Sequence, residues 1–260
     1  ESCRRMDQVR RSDLFAPLGI YLLWTIGTYL LEGRINLLQE PTPTGRTIYI
    51  LVVNIIIGTV IALWILGSRI RSGALKEKQI GAQPAKRTVA VSLVAVMLGF
   101  GFFLLQKPVS LNPLVVWNVF SQVLPVTIAE VVVCWAAIGG TVEAVARPKG
   151  KLVSIIAGII AADILLGVYH FAHSAPFNQV NMVLFLMMPG LLTSLVHFIG
   201  RDLYATILFH NFLGMAGVLQ NVDLALFSQP LYLFYILMVI SLICLIAGDR
   251  AYIRRSIGTY

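Results

Sequence analysis

Residues 14–31, 47–67, 88–105, 113–145, 152–174, 180–199, 203–219 and 230–247 form eight runs that are almost wholly apolar. Runs of about 20 residues match the hydrocarbon thickness of a bilayer, roughly 30 Å at 1.5 Å per helical residue. In lipid every backbone polar group must be satisfied within the chain, so such runs cross as helices. Composition agrees, with 58% hydrophobic and only 12% charged residues and a mean hydropathy of +0.83. Soluble domains carry roughly 25% charged residues, and the shortfall here leaves too little polar surface to cover a water-soluble globule. The expectation is an all-α, polytopic membrane protein of about eight transmembrane helices, a single membrane domain over residues 1–260. Run 113–145 is too long for one perpendicular helix and contains Pro125. Proline removes a backbone donor and clashes with the preceding turn, so a kink or an interfacial helix feeding a span is expected there.

The net charge of +8 reports orientation once its position is read. Four basic residues lie in the N-terminal tail (Arg4, Arg5, Arg10, Arg11) and six in the second loop (Arg69, Arg71, Lys76, Lys78, Lys86, Arg87). The fourth loop holds Arg147, Lys149 and Lys151, the sixth Arg201, and the C-terminal tail Arg250, Arg254 and Arg255. The alternate loops hold only Arg34, Arg46 and Lys107, a split of 17 against 3. The expected topology places both termini on the cytosolic side. The basic tail leads directly into a full-length run, longer than a signal-peptide core, and reads as retained. Membrane lipid is the implied surroundings, and nucleic-acid binding is not expected.

Cys3, Cys134 and Cys244 are far apart without CxxC spacing, which argues against a disulfide framework or zinc ribbon.

Ionisable side chains within spans are costly and call for a role. Glu130 lies well inside the fourth run with no basic residue near it in sequence. Asp163 is mid-way along the fifth run, where it would pair with a hydroxyl or histidine, and His170 and His173 follow three apart near its outer end. His197 lies near the inner end of the sixth and reads as a packing residue between helices. His210, followed by Asn211, falls about two turns into the seventh. A carboxylate in an apolar pocket accepts a proton from water, while one histidine orients that water and another stabilises a developing oxyanion. A Glu and two His would equally hold a divalent metal such as zinc with one open position. No HExxH occurs, so the usual zinc-protease helix is absent.

At these residues the chain resembles the CAAX prenyl protease type II and bacteriocin-processing group, the CPBP or Abi family of intramembrane proteases. That family shows EExxxR, then FxxxH closing the next span, then HxxxN in a later one. The segment Ala129-Glu130-Val131-Val132-Val133-Cys134-Trp135-Ala136 sits where the first motif is expected. Tyr169-His170-Phe171-Ala172-His173 is similar to the second, with Tyr for Phe, and residues 203–210 resemble the lead-in to the third. The family-like core covers about residues 113–221, the motif likeness running from about Leu124 to Asn221. The resemblance implies an intramembrane peptidase in which Glu130 activates water and His173 and His210 support it. His170, Asn211 and Asp163 would assist, and any metal would sit on Glu130, His173 and His210. Val131 replaces the second Glu, Trp135 the Arg, and Gly214 the Asn.

On the expected topology the fifth span runs outward to His173 and the seventh passes His210, so the trio would converge in the outer half of the membrane. That is the wrong side for a cytosolic prenylated tail, and the CAAX substrate is not carried over. The substrate expected is instead a peptide or membrane-protein segment. The competing expectation is a catalytically degenerate member of the same fold, a scaffold or assembly subunit of a larger membrane complex. In that setting a histidine such as His170 or His197 would ligate a haem or chlorin pigment. Paired discontinuous helices in two matching halves, the mark of many transporters, are absent.

Overall fold

Proline and small polar residues set where several helices begin. The computed structural model describes residues 11–38 and 42–254; Cys3, Arg4, Arg5, Arg10 and Arg255 lie outside them. Thr42 accepts a hydrogen bond from the Gly45 N–H and opens α2, Pro43–Arg71, with proline at its first position. Asn112 does the same for α4, Pro113–Lys149, accepting from the Leu114 N–H at 2.9 Å. Asp202 accepts from the Ala205 N–H at 2.9 Å and opens α7, Leu203–Leu219. Each side-chain oxygen satisfies a donor that the first helical turn leaves free. The other long helices are α1 (Ser12–Gly33), α3 (Ala85–Leu105), α5 (Lys151–His170), α6 (Val180–Gly200) and α8 (Tyr232–Arg254). No strand occurs among the described residues.

Seven helical stretches among the described residues are long and apolar enough to cross a membrane, and α7 is a shorter apolar helix of 17 residues. The protein is therefore a polytopic, integral membrane protein. Several ends differ from the apolar runs. The fifth helix stops at His170 rather than 174, α2 begins four residues early, and α8 continues to Arg254. Hydropathy marks where lipid contact ends, whereas a helix continues until its backbone is capped or broken.

Helix α4 is the axis of the bundle, touched by α1, α2, α5, α7 and α8. Every residue from 121 to 141 is buried except Val126. At 37 residues it is about 55 Å long, well beyond the roughly 30 Å hydrocarbon layer. Being sheathed in protein, it need not match that thickness. Pro125 lies inside its continuous helical course, and from Val131 to Gly139 the winding widens to i→i+5 hydrogen bonds. Helix α3 is the opposite case, leaning chiefly on α7 and mostly facing outward.

Close approach of backbones holds α4 to its neighbours, as expected where lipid offers no hydrophobic drive between helices. A methyl group added at Gly58 on α2 would lie 2.5 Å from the Ala129 methyl, and one at Gly158 on α5 would lie 2.8 Å from the Gly139 carbonyl. Beside the Gly58 contact, Trp24 of α1 stacks on Tyr169 at 3.6 Å and its indole N–H donates to Asn54 at 3.3 Å. That arrangement ties α1, α2 and α5 into one layer. The ion pairs Asp13–Arg69, Glu143–Arg147, Glu143–Arg201 and Asp249–Arg254 gather at the end of the bundle where α4 finishes.

Gly158→Ala should lower the thermal unfolding midpoint in detergent, with a cost of about 1–3 kcal/mol, because the backbone it meets cannot swing aside. Gly101→Ala is the control, since nothing lies within 4 Å of the added methyl; its midpoint should hold or rise. Equal effects at the two positions would contradict the close-packing account.

Candidate active site

At the end of the bundle opposite those ion pairs lies a cavity of about 370 Å³. It is lined by the last turns of α1, α5 and α7, the first turns of α2 and α6, and the stretch of α4 from Gln122 to Glu130. Gln106, Phe185, Gln220 and Asn221 on its lining are exposed, so it opens both at the end of the bundle and sideways past α6.

Glu130 forms the floor, 7% exposed. Its Oε2 lies 3.1 Å from His210 Nε2 on α7, and its Oε1 lies 4.0 Å from His170 Nε2, the last residue of α5. Each imidazole is held from behind. His170 Nδ1 donates to the Leu166 carbonyl at 2.8 Å, which leaves Nε2 with a lone pair facing Glu130. His210 Nδ1 lies 2.8 Å from Thr193 Oγ1 on α6, and the Thr193 hydroxyl itself donates to the Pro189 carbonyl at 2.8 Å. With its only hydrogen spent, Thr193 oxygen accepts from His210 Nδ1. The 3.1 Å contact between Nε2 and Oε2 then requires one proton shared between His210 and Glu130. Trp135 packs edge-on against His210 at 4.9 Å and donates to Ser194 at 2.8 Å.

His173, expected beside Glu130, faces another carboxylate. It lies past the end of α5, so the helical three-residue spacing from His170 does not apply, and its Nδ1 donates to Glu32 Oε2 at 3.1 Å. Glu32 also accepts from the Ser174 N–H at 2.9 Å and the Ser174 hydroxyl at 2.6 Å. The residue completing the floor is thus His170, which the sequence reading placed in a supporting role. Glu32 was missed because it lies just past the first apolar run; a carboxylate at a span end is usually read as solvated. The His170 and His173 rings are 5.4 Å apart, so the two acid–imidazole pairs neighbour each other within one cavity.

The remaining expected residues stand elsewhere. Asn211 is buried beside α4, its Oδ1 accepting from Thr127 at 3.3 Å and its amide donating to the Phe120 carbonyl at 3.4 Å. It fixes α7 to α4. Asp163 packs against Gly190 on α6, away from the cavity, and its Oδ1 has no hydrogen-bond partner among the described residues. His197 is buried on the other side of the bundle, with Nδ1 3.3 Å from Thr206. No group of three or more His, Cys, Asp or Glu side chains among the described residues is arranged to hold a metal ion. The expected set of Glu130, His173 and His210 is not assembled, because His173 is turned to Glu32.

Burial pushes the His173 imidazole down, but the charge and hydrogen bond of Glu32 outweigh it, and the net shift is upward from the usual 6.5. A histidine raised in the folded state binds protons more tightly folded than unfolded. Its stabilisation is complete below about pH 6.5 and is lost as pH climbs through the raised value. The thermal midpoint should therefore fall as pH is raised above about 6.5. Glu32→Gln, which removes the carboxylate charge, should flatten that slope. An unchanged slope in the variant would show that another group carries it.

No family model matches the chain, and no curated protein or solved structure matches it.

Proposed function

We propose that the protein is an intramembrane endopeptidase of the kind its motifs resemble, the CPBP group, hydrolysing a peptide bond of a substrate admitted to the cavity. The carrying observation is Glu130 between two imidazoles on the floor of a cavity within the helical bundle. A water 2.8 Å from both Glu130 Oε1 and His170 Nε2 would subtend about 90° there, close to its own bond angle. It would give one hydrogen to each acceptor and turn a lone pair toward the substrate carbonyl. Attack forms the carbon–oxygen bond as Glu130 takes the proton. The carbon–nitrogen bond then breaks, and the Glu130–His210 couple delivers a proton to the leaving amine. Water is consumed, giving a carboxylic acid and an amine, and the acid proton then passes to the amine to leave a carboxylate and an ammonium. The protonated His210 Nε2 is the group at hand to hold the oxyanion between these steps.

The proposed membrane arrangement has eight crossings, counting α7, with α4 bent at Pro125 and both termini cytosolic. It is supported by the basic-residue split and by the gathering of ion pairs at the basic end. The cavity then opens in the outer half of the membrane. Single cysteines at Ser72 and Ser110 test this in intact cells: an impermeant thiol reagent should label the second and spare the first. The reverse pattern would invert the topology.

A second reading, a non-proteolytic subunit of a larger membrane complex, is favoured by Trp135 and Gly214 standing where the motifs carry Arg and Asn. Variants separate the two. On the peptidase reading Glu130→Gln lowers cleavage of a co-expressed membrane substrate by at least ~100-fold, with His210→Gln and His170→Gln close behind. His173→Gln, acting through the neighbouring pair, costs less than ~10-fold. Full activity in Glu130→Gln at normal abundance would leave the subunit reading.

A further inference from the structure

We infer that the cavity is built for a peptide segment carrying a carboxylate, which Arg46 receives while the Gln122 carboxamide oxygen accepts a backbone N–H. The inference rests on the peptidase reading and names the substrate class of that site.

Arg46 lines the cavity from the first turn of α2. Within a bundle of this kind a guanidinium is costly unless its donors are met. The Glu32 carboxylate acts on Arg46 through space only, its oxygens being engaged by His173 and by both the amide and the hydroxyl of Ser174. Arg46 makes no ion pair and no side-chain hydrogen bond among the described residues. Its guanidinium lies over the face of Phe234, the central carbon 5.8 Å from the ring centre. A flat fork of donors left open beside an apolar wall is suited to a planar, bidentate anion such as a carboxylate.

Gln122 supplies the second, independent observation. It is 5% exposed and lines the same cavity, yet its Oε1 finds no donor among the described residues. Native structures seldom leave such an acceptor unmet, and an amide N–H is its commonest partner. Gln122, Val126 and Glu130 recur every fourth residue on one face of α4, so Gln122 stands about 12 Å along the axis from the floor. That is the reach of roughly three to four extended residues. A strand of substrate reaching from Glu130 toward the mouth would pass Gln122 and meet Arg46.

The test uses the full-length protein in nanodiscs of neutral phosphatidylcholine, with pools of randomised eight-residue peptides read by mass spectrometry. One pool pair differs in a free or amidated C-terminus, a second in Asp and Glu or Asn and Gln. The expected result is at least a tenfold preference for carboxylate-bearing peptides, the pool pair telling whether the chain end or an acidic side chain supplies the group. Arg46→Ala should bring the paired pools within twofold of each other, and Arg46→Lys should keep part of the preference. Equal use of both pools, or a preference that survives Arg46→Ala, would overturn the inference. So would Arg46-dependent binding of phosphatidylglycerol that carboxylate peptides fail to displace. Cleavage that needs Glu130 but ignores carboxylates defeats this inference and leaves the peptidase reading. Carboxylate-selective, Arg46-dependent peptide binding by the Glu130→Gln protein, with no cleavage by the unaltered one, does the opposite.

Discussion

A carboxylate held inside a membrane bundle must be met by its neighbours, and the arrangement of helices around the cavity follows from meeting two of them. Glu130 draws His170 from α5 and His210 from α7, and His210 in turn leans on Thr193 of α6. Glu32 draws His173 and Ser174 from the segment after α5. Stripping one partner from a buried ionic cluster typically costs about 3–5 kcal/mol, because the remaining charge stays behind unpaired. Five helices are therefore registered against one another by polar contacts that lipid cannot replace.

The axis carrying Glu130 is held differently. Helix α4 meets its neighbours through small residues, Gly58 against Ala129 and Gly139 against Gly158, where backbone approaches backbone. Such contacts work by van der Waals packing and fix depth and rotation together. Glu130 is thus presented at one height and facing one way. The imidazoles, each bonded from behind to Leu166 or Thr193, close on a carboxylate that cannot retreat.

Much of the architecture was legible in hydropathy, because apolar runs of bilayer length permit few alternatives. The excess length of run 113–145 was legible too, but its cause was not: lipid-facing and protein-facing apolar residues look alike in sequence, so a buried axis cannot be told from a tilted span. Glu130 and His210 stood out as ionisable groups in apolar surroundings. The choice between His170 and His173 did not, since it depends on α5 ending at His170, and a residue spacing carries no information about where a helix stops. Glu32 and Arg46 lie at span ends, where charge is ordinarily unremarkable. Their place in the cavity comes from tertiary packing between segments more than 100 residues apart in the chain.

The clasp between Glu32 and Ser174 joins residues 142 positions apart. At about 5–20 residues per second of synthesis, roughly 7 to 30 s separate the two reaching the membrane. Through that interval the first helix carries an acid whose partners do not yet exist, at the end of a span where water can serve it. Insertion order thus becomes part of the design: an early helix keeps a polar foot at the interface until a late loop arrives to cover it. A nascent chain halted before residue 174 would leave that foot wet, and so mark itself to the cell's quality control as unfinished.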